Sequence, residues 1–471
     1  SAGHQLSISL KASKKYNPIA FIDDNPKIQG NSINGLVVIP PSKISDYIET
    51  KNVKEIFLAT PSISRLRRKE IINFLSTFGV LVKSLPSLIE LVQGSIKVED
   101  LKQINVEDLL GRSSVIANKE TMSSNITGKV VTVTGAGGSI GSELSKQILL
   151  FKPKILILYD ISEFSLYKIE NQLIALRKSE SQIISILGSV NNKKRLQKIF
   201  KKYEVETIYH AAAYKHVPMV EFNMTEGVEN NVFGTLSCAQ AAINEKVETF
   251  VLISTDKAVR PTSIMGSTKR LSEMMLQGLS STEPITKFTM VRFGNVLDSS
   301  GSVIPLFKDQ IKSGGPVTVT NPDVVRYFMT IPEAVELIIQ AGSMSKGGEV
   351  FVLDMGQPVK INDLAKNLIH LSGLQLKDDL NPDGDIEIEY TGLRPGEKLF
   401  EELLIGENIM ETQHDMIHAV NEDFIDWENF QILLERLKVA NENYDYELIK
   451  KIIIEALPEY KPEVKIQDVL F

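Results

Sequence analysis

The stretch from Lys129 to Leu150 constrains this chain more than any other. Lys129-Val130-Val131-Thr132-Val133 reads as a strand, Thr134-Gly135-Ala136-Gly137-Gly138-Ser139-Ile140-Gly141 as a tight turn, and Ser142–Leu150 as a helix. A nearly continuous apolar strand running into a helix belongs in a parallel sheet covered on both faces. The glycines allow the turn and let backbone N–H groups approach a pyrophosphate, while the helix N-terminus adds partial positive charge. The next strand, Ile155-Leu156-Ile157-Leu158-Tyr159, ends in Asp160, 19 residues after Gly141. An acid at that spacing accepts hydrogen bonds from an adenosine ribose and repels a 2′-phosphate, which favours NAD over NADP. A glycine pattern alone is weak evidence; strand, glycines, helix and acid together make a specific dinucleotide signature. Gly135, Gly138, Ser139, Ile140, Gly141, Asp160 and Ser162 are the expected contacts around this turn.

The alternation continues. Ile183–Leu187 leads to Gly188-Ser189-Val190, and Thr207-Ile208-Tyr209-His210 leads to Ala211-Ala212-Ala213. Ser189 and Val190 fall where an adenine edge would lie, and the three alanines let backbone pass close to a cofactor. Tyr214-Lys215-His216-Val217-Pro218 follows, then a helix holding Asn231, Gly234 and Thr235. His216 is balanced between a structural and a functional role, because it sits beside Lys215 at a strand's carboxyl end.

The apolar run Phe250-Val251-Leu252-Ile253 predicts a buried strand that delivers Ser254, Thr255, Asp256 and Lys257 to the same sheet edge. Open α/β sheets bind their ligands at that edge. A helix beginning near Ser263 carries Met265 and Lys269. Past Phe288–Val296 the alternation is interrupted by Gly301, Pro305, Gly314-Gly315-Pro316 and Pro322, as expected for a smaller substrate lobe. Arg326 precedes Tyr327-Phe328-Met329, and Arg394-Pro395-Gly396-Glu397-Lys398 forms a second basic turn. Two arginines beside turns and apolar anchors suggest a diphosphate clamp, which the planar guanidinium suits.

Length and composition set the outer limits. At 471 residues the chain exceeds one compact core. A net charge of −7 gives no electrostatic case for nucleic acid. One cysteine and six histidines without metal-ligand spacing support neither a disulfide framework nor a metal site. No run approaches the roughly 18–20 apolar residues that span a bilayer, and no signal peptide precedes the first strand; the composition fits a reducing, cytoplasmic compartment. The expected domains are a Rossmann-like lobe over residues 1–95, a connector over 96–127, an NAD-binding domain over 128–292, a mainly substrate-binding lobe over 293–405, and an acidic helical segment over 406–471. The first lobe opens with a helix, and Pro18–Asp24 is a strand ending in acids about 20 residues after Gly3, the spacing of a dinucleotide unit whose first strand is missing. It reads as a scaffold or regulatory lobe on a fragment of a longer protein. Asp108-Leu109-Leu110-Gly111-Arg112 suggests no chemistry beyond an interface. Helices are expected at Ile432–Val439 and Tyr446–Leu457.

On the segments Thr134–Gly141, His210–Pro218, Ser254–Lys269, Arg292–Val296, Arg326–Met329 and Leu393–Leu403, the chain resembles an extended short-chain dehydrogenase/reductase. More narrowly, it resembles the long, membrane-anchored polysaccharide-biosynthesis dehydratases that remove water across C5 and C6 of UDP-N-acetylglucosamine. The resemblance covers about residues 95–405. It implies bound NAD, hydride removal from C4, loss of water and hydride return to C6. Thr255 would then position the 4-hydroxyl, Asp256 act as acid to the C6 hydroxyl, and Lys257 act as base at C5 if its environment lowers its pKa. Lys269 would bind the nicotinamide ribose, and Lys215, His216, Met265, Asn295, Arg326, Arg394 and Glu397 would contact the UDP-sugar. The superfamily's tyrosine base is replaced here by Met265, whose thioether cannot take a proton. The Met-bearing subfamily points to retention at C5 and a xylo-configured 4-keto-6-deoxy product. A UDP-sugar 4-epimerase and a non-catalytic NAD-binding scaffold are the rival readings. A homodimer or higher homo-oligomer is expected, with membrane attachment only through a segment outside this chain and the parent protein at the inner membrane, this region facing the cytoplasm.

Overall fold

The computed structural model describes residues 2–60, 63–85, 102–104, 119–177, 180–283, 285–403, 409–462 and 468–471. The chain divides into two compact units, one of residues 1–114, 302–323 and 360–391, the other of residues 115–301, 324–359 and 392–471. The stretch Asp108–Arg112 lies outside the described residues.

The second unit is built on one nine-stranded sheet. Its strands are β1 (Val130–Thr134), β2 (Ile155–Asp160), β3 (Gln182–Leu187), β4 (Thr207–His210), β5 (Thr249–Ile253), β6 (Lys287–Arg292), β7 (Val350–Leu353), β8 (Ile409–Glu411) and β9 (Ile417–Val420). Their spatial order is β3-β2-β1-β4-β5-β6-β7-β9-β8. The first seven run parallel, and β9 and β8 close that edge antiparallel. This is the α/β dinucleotide-binding architecture expected from the glycine turn. Strand order reverses between β1 and β4, where such sheets open a crevice for a ligand. The central strands are buried along their length, which is why they read as apolar runs without alternation.

Helices cover both faces: α1 (Ser139–Leu150), α2 (Glu163–Leu176), α3 (Lys193–Tyr203), α4 (Gly234–Asn244), α5 (Ile264–Thr282), α6 (Ile331–Ser343), α7 (Trp427–Glu442) and α8 (Tyr446–Ala456). α1 begins three residues earlier than the sequence predicts, because Gly138 in extended conformation starts the helix. α5 is buried along nearly its whole length. α7 and α8 pack together, and α7 lies on α5; Phe430, Leu433, Leu434 and Leu437 join the same apolar core as Met274 and Leu271. The expectation of helix from Ile409 onward is corrected here. Residues 409–420 pair as β8 and β9, because β7 offers an unpaired edge that an extended segment satisfies. The two expected helices are present and longer at the first, Trp427–Glu442.

In the first unit, strand Ala20–Ile22 pairs in parallel with Leu36–Ile39, and Glu55–Leu58 with Leu81–Ser84. Ser64 caps helix Arg65–Ser76 by accepting the Arg67 N–H at 3.2 Å. That helix packs on helix Ile361–Leu371, and Ser76 Oγ donates to Asn367 Oδ1 at 3.4 Å. The amino-terminal residues therefore share a core with segments roughly 300 residues later, which no local pattern announces. Among the described residues, no helix is long and apolar enough to cross a membrane.

Candidate active site

The turn after β1 is shaped by contacts that only glycine permits. Gly135 has φ +65°, and a Cβ there would stand 2.7 Å from the Ala212 nitrogen. A Cβ on Gly141 would overlap the Gly135 carbonyl oxygen, and one on Gly137 would overlap Ser165. These close approaches pull the end of β1, the start of α1 and Ala211-Ala212 after β4 into one cradle. Gly138 heads α1 without a side-chain cap, so the first-turn N–H groups point at whatever lies in the crevice. Asp160 ends β2 with 7% of its surface exposed. Its Oδ2 accepts the Gly137 N–H and its Oδ1 the Ser162 N–H, both at 2.8 Å. The acid thus braces the glycine turn while each oxygen keeps a lone pair for a further donor. Ser139 Oγ accepts the Ser300 N–H at 3.3 Å, and Ile140 is half-buried beside it. Ser189 accepts the Tyr159 hydroxyl through its carbonyl at 2.8 Å, Val190 is buried, and Ala213 is half-buried after Ala212. The site residues expected to hold a dinucleotide therefore line one sheet edge, and bare glycines, helix N–H groups and a terminal acid suit its pyrophosphate and ribose.

β5 delivers the polar group anticipated at its end. Thr255 Oγ1 donates to Asp256 Oδ1 at 2.8 Å, and Lys257 Nζ donates to the same oxygen at 2.9 Å. Lys257 Nζ also reaches Asn295 Oδ1 at 3.2 Å and Glu401 Oε1 at 3.5 Å. The Asp256 side chain is fully buried, and its Oδ2 has no partner among the described residues. Burial disfavours the Lys257 ammonium, but Asp256 and Glu401 outweigh it and raise the amine above its ordinary value. The condition attached to Lys257 as base is therefore unmet while Asp256 is ionised. Lys215 lies close enough for burial and the Lys257 charge to lower its pKa.

Ser263 caps α5 by accepting the Gly266 N–H at 3.1 Å, which aims Lys269 back under β5. Its Nζ donates to the Ile253 carbonyl at 2.7 Å, and burial lowers its pKa to about 8. Met265 is 2% exposed and belongs to the apolar core. Little of its side chain is open to the crevice. The loop bearing Lys215 and His216 is tied to α5 through Asn231, which bonds both main-chain groups of Tyr214 and the Thr268 hydroxyl. His216 stands at the N-cap position of the helix Val217–Glu221 without a side-chain capping bond, and its ring faces Gly301. Arg326 is buried, its Nη2 3.0 Å from Glu397 Oε1, while Glu397 Oε2 accepts the Arg394 N–H at 3.2 Å. Glu397 thus joins the two arginine turns; the Arg394 side chain lies on the exposed side.

Three features escaped the sequence. His210 bridges Thr134 and Thr235 and is held neutral, its pKa lowered to about 3 by burial and by Lys269. Behind the site, Arg292 pairs with Glu273 at 2.6 Å and Glu422 at 2.6 Å, and Ser254 Oγ donates to Glu273 at 2.6 Å. Glu401 carries no signal in the sequence, because charged residues near a chain's acidic region are usually solvated; only its burial beside Lys257 singles it out. Among the described residues no cluster suits a metal ion.

Sheet order, glycine cradle and the polar group after β5 define an extended short-chain dehydrogenase/reductase. Residues 131–422 match the family described as "Polysaccharide biosynthesis protein", and the chain belongs to that family. It is 45% identical over 392 residues to the capsular polysaccharide biosynthesis protein CapD of Staphylococcus aureus, covering 83% of this chain and 64% of that protein. This chain thus spans less than two thirds of that relative's length. A UDP-glucose 4-epimerase of Rickettsia akari is 34% identical over 60% of this chain and 79% of its own. The solved structure of Pen from Bacillus thuringiensis superposes with a TM-score of 0.57 at 31% identity, covering 66% of this chain and 98% of that one.

Proposed function

We propose that the protein is an NAD-dependent UDP-N-acetylglucosamine 4,6-dehydratase of glycan biosynthesis. The observation that carries this reading is the buried hydrogen-bonded series Thr255–Asp256–Lys257 at the end of β5. An acid paired with an amine suits an elimination and has no use in simple epimerisation. NAD held by the glycine cradle and Asp160 would take hydride from C4 and return it to C6, leaving no net redox change.

The chain's own groups handle the protons. Met265 cannot accept the C4 hydroxyl proton, but Thr255 can pass it along its hydrogen bond to Asp256. Protonated Asp256 then serves as acid to the departing C6 hydroxyl. Its neutralisation also removes one of the two charges that raise the Lys257 pKa. Once the ammonium has given up its own proton, the amine can take the C5 proton, which the adjacent ketone has acidified. Return of that proton from the same amine gives retention at C5 and the xylo-configured UDP-2-acetamido-2,6-dideoxy-4-hexulose. Arg326, with Arg394 joined to it through Glu397, suits the diphosphate, and Lys215 and Asn295 suit the sugar side.

The Rickettsia relative favours a second reading, a UDP-sugar 4-epimerase. Incubation with UDP-N-acetylglucosamine, followed by mass spectrometry and sugar analysis, separates the two. Dehydration loses one water without net NADH. Epimerisation changes configuration at constant mass, and that result would sink the dehydratase reading.

A further inference from the structure

Lys257 has two carboxylates beside it, and the mechanism above uses only one. The second, Glu401, reaches the site because Val325 bonds the Leu399 carbonyl at 3.1 Å and bridges to Phe400. That main-chain pairing sets Glu401 next to Arg326. The Glu401 side chain is 3% exposed, its Oε1 lies 3.5 Å from Lys257 Nζ and 3.8 Å from Arg326 Nε, and its Oε2 is buried without a partner among the described residues. A buried carboxylate with an unpaired oxygen is costly, so its retention here asks for a purpose beyond packing.

We propose that Glu401 is a positioning residue that holds Lys257 between itself and Asp256 and takes up the Lys257 proton during the C5 step. The inference rests on the dehydratase reading. Lys257 starts as an ammonium. Once Asp256 carries the C4 hydroxyl proton, the Lys257 proton moves to Glu401, leaving a neutral amine and a neutral acid. The amine removes the C5 proton as the C6 hydroxyl leaves with the Asp256 proton as water. After hydride arrives at C6, the amine returns its proton to C5, and Glu401 returns the stored proton to Lys257. Protons balance: the water carries away the one released at C4, and the C5 and Lys257 protons end where they began. Arg326, with its Nε 3.8 Å from Glu401 Oε1, keeps that carboxyl in place beside Lys257 throughout.

The test compares wild type with Glu401→Gln and Glu401→Asp, each purified with its NAD. UDP-N-acetylglucosamine is added in deuterated water while nicotinamide absorbance, loss of water and deuterium at C5 are followed. Glutamine keeps the shape but cannot take the proton. The expected result for E401Q is NADH formation of wild-type amplitude that persists, with dehydration and C5 deuterium down roughly 10²-fold, the scale of a lost acid–base group. E401D should recover part of both. Near-wild-type dehydration in E401Q would overturn the proposal. So would equal losses of NADH formation and dehydration with no recovery in E401D, the signature of a purely structural role. If E401Q fails to retain NAD, E401D decides alone: slowed dehydration with intact NADH formation supports the proposal, and unslowed dehydration refutes it. A wild-type protein that loses no water removes the dehydratase reading and this inference with it, before any variant is made.

Discussion

Glu221 offers a prediction whose size follows from the structure. It is 8% exposed, and its Oε1 accepts the Ile264 N–H at 2.5 Å, at the N-terminus of the helix that carries Met265 and Lys269. Burial pushes its carboxyl from 4.5 up to about 7, against the opposing pull of the Ile264 N–H and of Lys450. Below about pH 4.5 the group is protonated in both folded and unfolded chains and has no effect on stability. Between pH 4.5 and 7 the unfolded chain releases its proton first, so stability falls as pH rises. Above 7 the full penalty applies; at about 1.4 kcal/mol per pKa unit it amounts to about 3 kcal/mol. Glutamine keeps an oxygen for the Ile264 N–H and carries no charge. Glu221→Gln should therefore match wild type near pH 4.5 and exceed it by up to about 3 kcal/mol at pH 8. Urea unfolding of both proteins across this range gives the difference directly. A gap independent of pH, or one that closes as pH rises, would refute the reasoning.

Further outcomes follow from the other buried polar groups. Arg292→Met leaves Glu273 and Glu422 with Arg270 as their remaining close cation, and should cost about 3–5 kcal/mol in urea unfolding; adding Glu273→Met should recover much of that loss. Thr255→Val should slow NADH formation on mixing with substrate, and Asp256→Asn, which loses both the acceptor of the C4 proton and the acid at C6, should slow NADH formation and water loss alike, each by roughly 10²-fold; an Asp256→Asn protein with wild-type turnover would remove the acid from the scheme.

The parallel strands, the glycine turn and the polar group after β5 were legible in the sequence, because each is local. A buried parallel strand must be apolar, and the turn after it must be glycine where a Cβ would strike Ala212 or the Gly135 carbonyl. Asp160 and Thr255–Lys257 fall at strand ends, so counting residues placed them on one edge. Residues 409–420 misled because their pairing partner, β7, lies about 60 residues earlier, and an acidic segment carries no sign of an open edge elsewhere. Charge states were equally beyond reach. Lys257 reads as a candidate base from its neighbours in sequence, but its ammonium is held by Asp256 beside it and also by Glu401, 144 residues away. Coulomb energy depends on distance and local polarity, not on sequence separation. Only the folding that buries Asp256, Lys257 and Glu401 together decides which of them holds the proton.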